Sequence, residues 1–282
     1  MEALEVGSNK SKRTIADVIK YLVLIVVAAA SLYPFLWVLL SSFKTLDEIM
    51  VHPMSLPKRL LFSNYVNAWV KASIGKYYFN TFIVSIVAVA LIVLISAMAA
   101  YILSRVRPSF MIYTYFSLGL MIPIQAVIVP CFVIFFKAGL NNTRLSLILA
   151  YTAVNLSMAI FIMYGFMKEL PRELEEAAVI DGCSRYRTFF SIMLPLSLPG
   201  LSTVAILNFL NCWNEFLLPL VLMTDKAKKV LSQGINDLNG QYFNDYGVIF
   251  AAILLMTLPV VIIYILFQEQ VIRGMTAGAV KG

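Results

Sequence analysis

The feature that most constrains this chain is a series of apolar runs long enough to cross a lipid bilayer. A helix needs roughly 20 mainly apolar residues to span a hydrocarbon core of about 30 Å. Because lipid cannot satisfy free backbone amides, each such run is predicted to be helical. The sequence therefore predicts an all-α, polytopic membrane protein with six transmembrane helices: Ile19–Leu40, Phe79–Leu103, Met111–Phe136, Leu145–Met167, Leu198–Met223 and Gly247–Phe267.

Composition agrees with a membrane location and argues against several other classes. Hydrophobic residues make up 61% of the 282 residues and charged residues 13%, whereas a soluble domain is nearer half apolar and a quarter charged. The net charge of +7 comes from basic residues between the apolar runs, so we attribute it to lipid headgroups and topology rather than to nucleic acid. His52 is the single histidine and no phosphate-binding loop motif occurs. We expect no metal, cofactor or catalytic residue in this chain.

The N-terminus resembles a signal peptide in charge but not in length. Basic residues precede the first run, at Lys10, Lys12, Arg13 and Lys20. The run itself is too long for a signal-peptide core and no small-residue cleavage site ends it, so we predict a retained span. The prolines inside the runs are predicted to kink membrane helices rather than end them: Pro34, Pro123, Pro130, Pro219 and Pro259.

Six spans place both termini on the same side of the membrane. Basic residues divide almost evenly between the two sides, but the shortest loop with a basic pair, Arg105 and Arg107, favours cytoplasmic termini. We therefore predict four parts: a cytoplasmic N-terminus (1–18), a first transmembrane helix with a long external loop (19–78), a transmembrane core (79–267) with a cytoplasmic loop at 168–197, and a cytoplasmic tail (268–282).

The loop after the fourth span carries a distinctive charge pattern. Pro171 suits a first helical turn, and the acidic residues that follow it complement the positive end of the helix dipole. Leu174, Ala177, Ala178 and Asp181 share one helical face, where small alanines let another surface approach closely. A glycine then ends the helix. The pattern indicates a short docking helix that needs a partner, and a solvated loop without a partner is an equally good interpretation of the physics alone.

A second helical stretch, Arg185–Met193, is amphipathic. We expect Phe189, Ile192 and Met193 to lie on the membrane while the arginines face headgroups.

The same loop resembles the EAA loop of ABC importer permeases, which reads E-A-A-x-x-D-G followed by I-x-L-P. A cysteine, Cys183, replaces the family's alanine after the glycine, and the downstream Ile192, Leu194 and Pro195 match. The residues that match the motif, and that the resemblance assigns to ATPase coupling, are Glu176, Ala177, Ala178, Asp181 and Gly182.

Further segments resemble the carbohydrate permeases of the maltose-transporter class, specifically the smaller, six-span subunit of a heterodimer. They are Pro34–Trp37, Ser42–Thr45, Asn64-Tyr65 with Trp69, Asn80-Thr81, Ser104-Arg105, Trp213–Phe216 and the tail Gly274–Gly282. The resemblance implies a type I ABC importer permease fold and transport of a sugar, an oligosaccharide or a related polyol. It makes the chain a transporter subunit rather than an enzyme.

The resemblance also implies partners and a location. The partners would be a second permease, a cytoplasmic ATPase dimer that binds ATP and Mg, and an extracytoplasmic binding protein that delivers the sugar. The complex would lie in a prokaryotic inner membrane. The loop between spans four and five would be a coupling helix in a cleft on the ATPase, with Glu176 at the ATPase surface and Gly182 supplying the turn. We also predict that the tail Gly274–Gly282 contacts the ATPase pair, although a frayed chain end is an equally good interpretation.

Polar side chains inside spans are costly and usually face a cavity or another helix. Asn208, Asn211 and Glu215 in the fifth span are spaced to share one face. Amides and aromatic rings suit sugars, although interhelical hydrogen bonds explain amides equally well, and Asn214 and Glu215 suit a helix end or gate. The candidate substrate pathway is Gln125, Tyr151, Asn155, Asn208, Asn211, Trp213, Asn214 and Glu215.

A secondary transporter driven by an ion gradient is the alternative from another class. Such proteins usually contain internal repeats and buried ionisable residues for ion coupling. We find no clear repeat, and Glu215 is the one carboxylate well inside a predicted span. Uptake that followed a proton or sodium gradient without ATP would favour this alternative.

Overall fold

The structure is a computed structural model that describes residues 2–241 and 245–277, with side chains for residues 17–234, 236, 238 and 245–269. The described residues form helices and loops and no strand. The helices are α1 (Glu2–Ser41), α2 (Leu46–Val51), α3 (Ser63–Val66), α4 (Ile74–Tyr101), α5 (Phe110–Leu118), α6 (Ile124–Lys137), α7 (Arg144–Glu169), α8 (Glu173–Ile180), α9 (Arg185–Thr188), α10 (Leu194–Leu196), α11 (Leu198–Asn214), α12 (Leu217–Leu222), α13 (Leu231–Gln241) and α14 (Tyr246–Ala277).

Short turns of other helix types extend several of these helices. Asn67–Lys71 follows α3, Ile102–Val106 follows α4 and Phe189–Met193 follows α9 as π-helical turns, and Gly119–Met121 follows α5 as a 3₁₀ turn. The predicted contact of the C-terminal tail with an ATPase involves Gly274–Gly282, which lies outside the residues with described side chains.

Four of the six predicted spans form single helices with nearly the predicted bounds. Among the described residues, the single helical stretches that are long and apolar enough to cross a membrane are Asp17–Ser41, Ile74–Val106, Arg144–Glu169 and Tyr246–Glu269. Two bent helix pairs complete the set, Phe110–Met121 with Ile124–Lys137, and Arg185–Leu196 with Leu198–Asn214. The all-α class is confirmed.

The third predicted segment is broken rather than kinked, so a continuous helix over Met111–Phe136 is wrong. Its two halves meet at 101°. Ile122 is extended, with φ −83° and ψ 113°, because a residue before proline avoids the α region. Pro123 then serves as the N-cap of α6.

The fifth predicted segment, Leu198–Met223, is also wrong as a single helix. It ends at Asn214, and Glu215 is extended with φ −64° and ψ 129°. Pro219 lacks the N–H that would bond the Glu215 carbonyl inside a helix. Ser232 supplies the missing donor, since its Oγ lies 2.7 Å from that carbonyl oxygen.

The chain separates into two compact units. One consists of Met1–Trp69 and Asn239–Leu254. In this unit Lys44 is 1% exposed, and its Nζ donates to the carbonyls of Pro53 at 3.0 Å and His52 at 3.4 Å. Within the chain, the most apolar window of Asp17–Ser41 is 0% buried.

The other unit consists of Val70–Leu238 and Leu255–Gly282. Its core lies where α4 packs against α7 and α11 packs against both. Small residues at this contact let the helices approach closely, among them the fully buried Ala88, Ala97 and Ala159.

Hydrogen bonds at its two ends show that α4 and α7 run parallel. Near the helix starts, Arg144 donates to Asn80 Oδ1 at 2.6 Å. Near the helix ends, Arg105 Nε donates to the Met167 carbonyl at 3.0 Å. The bent pair α5–α6 therefore returns the chain from the Arg105 end of the unit to the Asn80 end.

Candidate functional site

The segment between α7 and α11 forms a short projecting helix, as the sequence predicts. Helix α8 covers Glu173–Ile180 with acidic residues in its first turn. Asp181 caps its C-terminus, and Gly182 has φ +74°. Residues with a Cβ rarely adopt this left-handed backbone conformation. The predicted helix and its glycine end are confirmed, while the coupling role of these residues stays a prediction.

Most of α8 is exposed. Glu176, Ala177, Asp181 and Gly182 lie on the surface, and Ile180 is 85% exposed. Ala178 is 3% exposed and is the one buried residue of this helix. The expectation that Ala178 shares a contact face with Ala177 is therefore wrong, because Ala178 packs inward where its small side chain fits.

The stretch after Gly182 is buried in protein rather than laid on the membrane surface. Phe189 and Met193 are 4% and 0% exposed, and the Phe189 ring packs on Tyr101 with centroids 5.2 Å apart. The predicted membrane contact of these two residues is wrong, since they secure the segment to the end of α4. Ile192 is half-buried.

Arg105 was not among the predicted site residues, because the sequence indicated it only as a sign of orientation and, with Ser104, as part of the family resemblance. Its side chain is 3% exposed, and its Nη1 lies 4.0 Å from Glu175 Oε2. It donates to the carbonyls of Met167 and Leu170 at the end of α7. The available signal for this contact was an arginine in a short loop on the same side of the membrane as a helix that begins with acidic residues.

A second candidate site is an open cavity of about 420 Å³ lined by residues of α6, α7, α11 and α12. It is amphipathic, with amides, a phenol and a carboxylate among aliphatic side chains. Its lining residues are Ile124, Tyr151, Val154, Asn155, Leu210, Asn211, Asn214, Glu215 and Leu218. Five of the eight predicted pathway residues therefore meet at one cavity.

The polar groups of the cavity are held by helix backbone. Asn155 Nδ2 donates to the Tyr151 carbonyl at 2.8 Å, and Asn214 Nδ2 donates to the Leu210 carbonyl at 2.8 Å. The Asn211 amide approaches Asn155 Oδ1 at 3.5 Å, a long contact. These bonds fix the amides and leave further donor and acceptor positions for a ligand.

Glu215 belongs to the cavity wall because of the helix break. Its Oε1 accepts from the backbone N–H groups of Leu217 at 2.7 Å and Leu218 at 3.1 Å. The carboxylate thus lies at the N-terminus of α12, where a negative charge is favoured. A continuous helix would not have presented this side chain in the same way.

Three predicted pathway residues do not line the cavity. Gln125 is exposed next to the lining residue Ile124. Asn208 is 1% exposed, and its Nδ2 donates to the Val204 carbonyl at 2.7 Å. Trp213 packs between Tyr78 and Phe209 and donates to the Met256 carbonyl at 3.1 Å. The predicted shared face fails because Asn208 is covered and Glu215 lies beyond the end of α11.

A model of the family described as "Binding-protein-dependent transport system inner membrane component" matches residues 92–277. The chain belongs to this family. The matched range contains both candidate sites, namely the cavity and the segment around α8.

Curated relatives of this permease are similar over nearly the whole chain. The diacetylchitobiose uptake system permease protein NgcG of Streptomyces coelicolor is 43% identical over 93% of this chain and 88% of its own length. The probable starch degradation products transport system permease protein AmyC of Thermoanaerobacterium thermosulfurigenes is 36% identical over 91% and 94%. The arabinooligosaccharides transport system permease protein AraQ of Halalkalibacterium halodurans is 35% identical over 96% and 100%.

A solved structure shares the fold. It is a bacterial ABC transporter involved in the import of the acidic polysaccharide alginate, with a TM-score of 0.79 and 22% identity. The match covers 90% of this chain and 96% of that one. The type I ABC permease fold is thereby confirmed.

Family membership decides between the two classes left open by the sequence. The chain is an integral membrane permease subunit of an ABC importer and not a secondary transporter driven by an ion gradient. It is a transporter subunit and not an enzyme, and ATP hydrolysis belongs to a separate partner.

Proposed function

We propose that this permease forms half of the pathway for an oligosaccharide in an ATP-driven importer. A second permease would form the other half, a cytoplasmic ATPase dimer would bind ATP and Mg, and an extracytoplasmic binding protein would deliver the sugar. The named relatives NgcG, AmyC and AraQ transport diacetylchitobiose, starch degradation products and arabinooligosaccharides by their descriptions, which supports a saccharide substrate.

The observation that carries the proposal is the chemistry of the cavity. Sugars offer hydroxyl groups to amides and carboxylates and present C–H faces to aromatic rings. Asn155, Asn211, Asn214, Glu215 and Tyr151 supply these partners around about 420 Å³, a volume typical of small-molecule sites. The described lining contains one carboxylate and no basic side chain. This half of the pathway therefore suits an uncharged saccharide better than an acidic one.

The proposed arrangement in the membrane follows the sequence prediction. Six spans cross a prokaryotic inner membrane among lipid, the bent pair α5–α6 counts as one of them, the fifth begins at Leu198 after the loop 168–197, and both termini are cytoplasmic. Residues 1–18 and 268–282 lie inside, the loop that ends at residue 78 lies outside, and 79–267 form the core. The parallel course of α4 and α7 supports one crossing by α5–α6, because the chain must return between them.

The proposed coupling element is the loop 168–197 with α8 at its tip. Glu176, Ala177, Asp181 and Gly182 would meet the ATPase at the exposed end, and Ala178 would anchor the helix to the bundle. ATP-driven closure of the ATPase dimer would move α8, and the permease pair would swing between inward-facing and outward-facing states.

The experiment that tests the proposal is reconstitution of the complete importer in proteoliposomes. We expect uptake of a labelled neutral oligosaccharide to require ATP and to be insensitive to ionophores. Asn211→Phe places a ring in the cavity and should lower uptake to about a tenth or less, since small displacements of a bound substrate have large effects. Co-purification of the ATPase should be unchanged.

Gln125→Leu is the matched control, because Gln125 adjoins the cavity without lining it. Its uptake should stay near the wild-type rate. Equal uptake by wild type and Asn211→Phe would show that the cavity is not the sugar pathway. Uptake that needs an ion gradient and no ATP would contradict the importer mechanism itself.

A further inference from the structure

A buried arginine joins three segments at the base of α8. Arg105 lies in the π-helical turn Ile102–Val106 that ends the α4 stretch. Its side chain is 3% exposed. A buried guanidinium is unfavourable unless hydrogen bonds and an opposite charge compensate for its lost hydration. Its partners therefore indicate what the residue holds in place.

Two of these partners belong to the end of α7. Nε of Arg105 lies 3.0 Å from the Met167 carbonyl oxygen, and Nη2 donates to the Leu170 carbonyl. The last carbonyls of a helix have no intrahelical donor. The guanidinium satisfies them and places a positive charge at the negative end of the helix dipole. It thus ties the end of the α4 stretch to the end of α7.

The third partner belongs to α8. Nη1 of Arg105 lies 4.0 Å from Oε2 of Glu175, whose side chain is 20% exposed. Glu175 lies in the first turn of α8. The same side chain therefore reaches both the carbonyls where α7 ends and the first turn of the helix that follows.

Apolar packing contributes little to holding α8. Ala178 is its one buried residue, and a cavity of about 160 Å³ lies behind it, lined in part by Tyr101, Arg105 and Glu175. Packing between α8 and the bundle is therefore incomplete on this side. The Arg105–Glu175 pair is one polar link between α8 and the helix ends.

We propose that Arg105 is a positioning residue for energy coupling, which transmits movement of α8 to the paired ends of α4 and α7. This inference rests on the proposed coupling function of α8. When the ATPase draws α8 toward the centre of the complex, Arg105 carries α4 and α7 with it. Without the guanidinium, α8 moves while the transmembrane helices stay behind.

The guanidinium suits this task better than an ammonium. Its planar fork presents donors in several directions at once, so it hydrogen-bonds two carbonyls while it faces the Glu175 carboxylate at 4.0 Å. Lysine offers a point charge on a flexible stem and holds fewer of these partners. Arg105→Lys should therefore restore part of the coupling that Arg105→Met loses.

The test uses the whole importer in proteoliposomes and measures sugar uptake and ATP hydrolysis in the same preparation. For Arg105→Met, we expect the ATPase to co-purify normally. The amount of sugar imported per ATP hydrolysed should fall about tenfold, in line with mutational effects on coupling networks. Arg105→Lys should give an intermediate ratio. The matched control is Arg107→Met, two residues away and exposed, which should keep the wild-type ratio.

A merely structural role predicts a different result. Uptake and hydrolysis would then fall together with the yield of folded complex, their ratio would stay constant, and the proposal would be overturned. An unchanged ratio in both Arg105 variants would overturn it as well. If the wild-type complex imported sugar without ATP hydrolysis, the proposed importer function would be contradicted instead. Failure of the Arg105 proposal is therefore distinguishable from failure of the proposed function.

If Arg105→Met does not assemble, Glu175→Gln gives a second test. It keeps the size of the side chain and removes the charge that faces Arg105. We expect a lower import ratio with intact assembly, and a wild-type ratio would contradict the proposal.

Discussion

Asn80 joins three segments of the unit that contains α4. It is 1% exposed, and its Nδ2 donates to the carbonyls of Ala227 at 3.1 Å and Lys229 at 2.8 Å. Its Oδ1 accepts from Arg144 at 2.6 Å. One amide thus fixes the loop before α13 and the start of α7 against α4.

We predict that Asn80→Leu, which changes the size of the side chain little, destabilises the permease. It leaves two carbonyls and a guanidinium without this partner, and a buried unsatisfied group costs about 1–3 kcal/mol. Thermal unfolding of the purified chain in nanodiscs should show a lower midpoint. Lys76→Leu, at an exposed position one turn earlier on α4, is the control and should leave the midpoint near wild type.

The importance of Asn80 could not be predicted from local sequence. Its loop partners lie 147 and 149 residues further along the chain, and no periodicity connects such positions. Arg105 was missed for the same reason, because its partners at Met167 and Leu170 follow 62 and 65 residues later. Tyr151 and Asn155 were identifiable because a polar pair inside an apolar run stands out on its own.

At the scale of elements, the end of α8 depends on one backbone conformation. Gly182 has φ +74°, and no atom lies within 4 Å of a Cβ built there. A substitution at this position is therefore opposed by backbone strain and not by a side-chain clash. The strain of a left-handed residue with a Cβ is roughly 1–2 kcal/mol.

We predict that Gly182→Ala weakens binding of the ATPase about fivefold, as expected when roughly 1 kcal/mol of strain must be overcome on docking. Co-purification and ATPase titration against the permease pair measure the effect. Gly182→Asn should bind more nearly like wild type, because asparagine adopts this conformation more readily. Gly165→Ala, a helical glycine of α7 with open space around it, should bind normally. Equal binding by all three variants would show that the end of α8 does not contribute to docking.

The helices that the sequence predicted well are those in which hydropathy alone decides the structure. Arg144–Glu169 is longer than the predicted Leu145–Met167 by one residue at its start and two at its end. The bounds agree because a membrane helix and its apolar run have nearly the same length. The breaks at Pro123 and Glu215 were missed because a proline in an apolar run is compatible with a kink or a break. A break differs from a kink in that a tertiary partner binds the carbonyl that the proline leaves without a donor. For the Glu215 carbonyl this partner is Ser232, which local sequence does not reveal.

At the scale of the whole molecule, the bent pair α5–α6 determines the number of membrane crossings. The α4 and α7 starts are joined by Asn80 and Arg144, and their ends by Arg105 and Met167. Two parallel helices require the chain to return between them. A re-entrant α5–α6 that left and entered on one side would make α4 and α7 antiparallel, contrary to the observed bonds.

We therefore predict that residues 107 and 138 lie on opposite sides of the membrane. Single cysteines introduced at exposed positions into a chain with Cys131, Cys183 and Cys212 replaced by alanine report the side by labelling. A membrane-impermeant maleimide added to spheroplasts should label Ala138→Cys, and Arg107→Cys should react only after permeabilisation. Ser55→Cys should label from outside and Arg172→Cys from inside.

The pattern of labelling separates the count of crossings from their direction. Reversal at all four positions would keep six crossings and place the termini outside, which would contradict the proposed orientation and the access of α8 to a cytoplasmic ATPase. Labelling of positions 107 and 138 from the same side would mean that α5–α6 does not cross. The parallel course of α4 and α7 would then not persist in the membrane, and the Arg105 link could not join their ends.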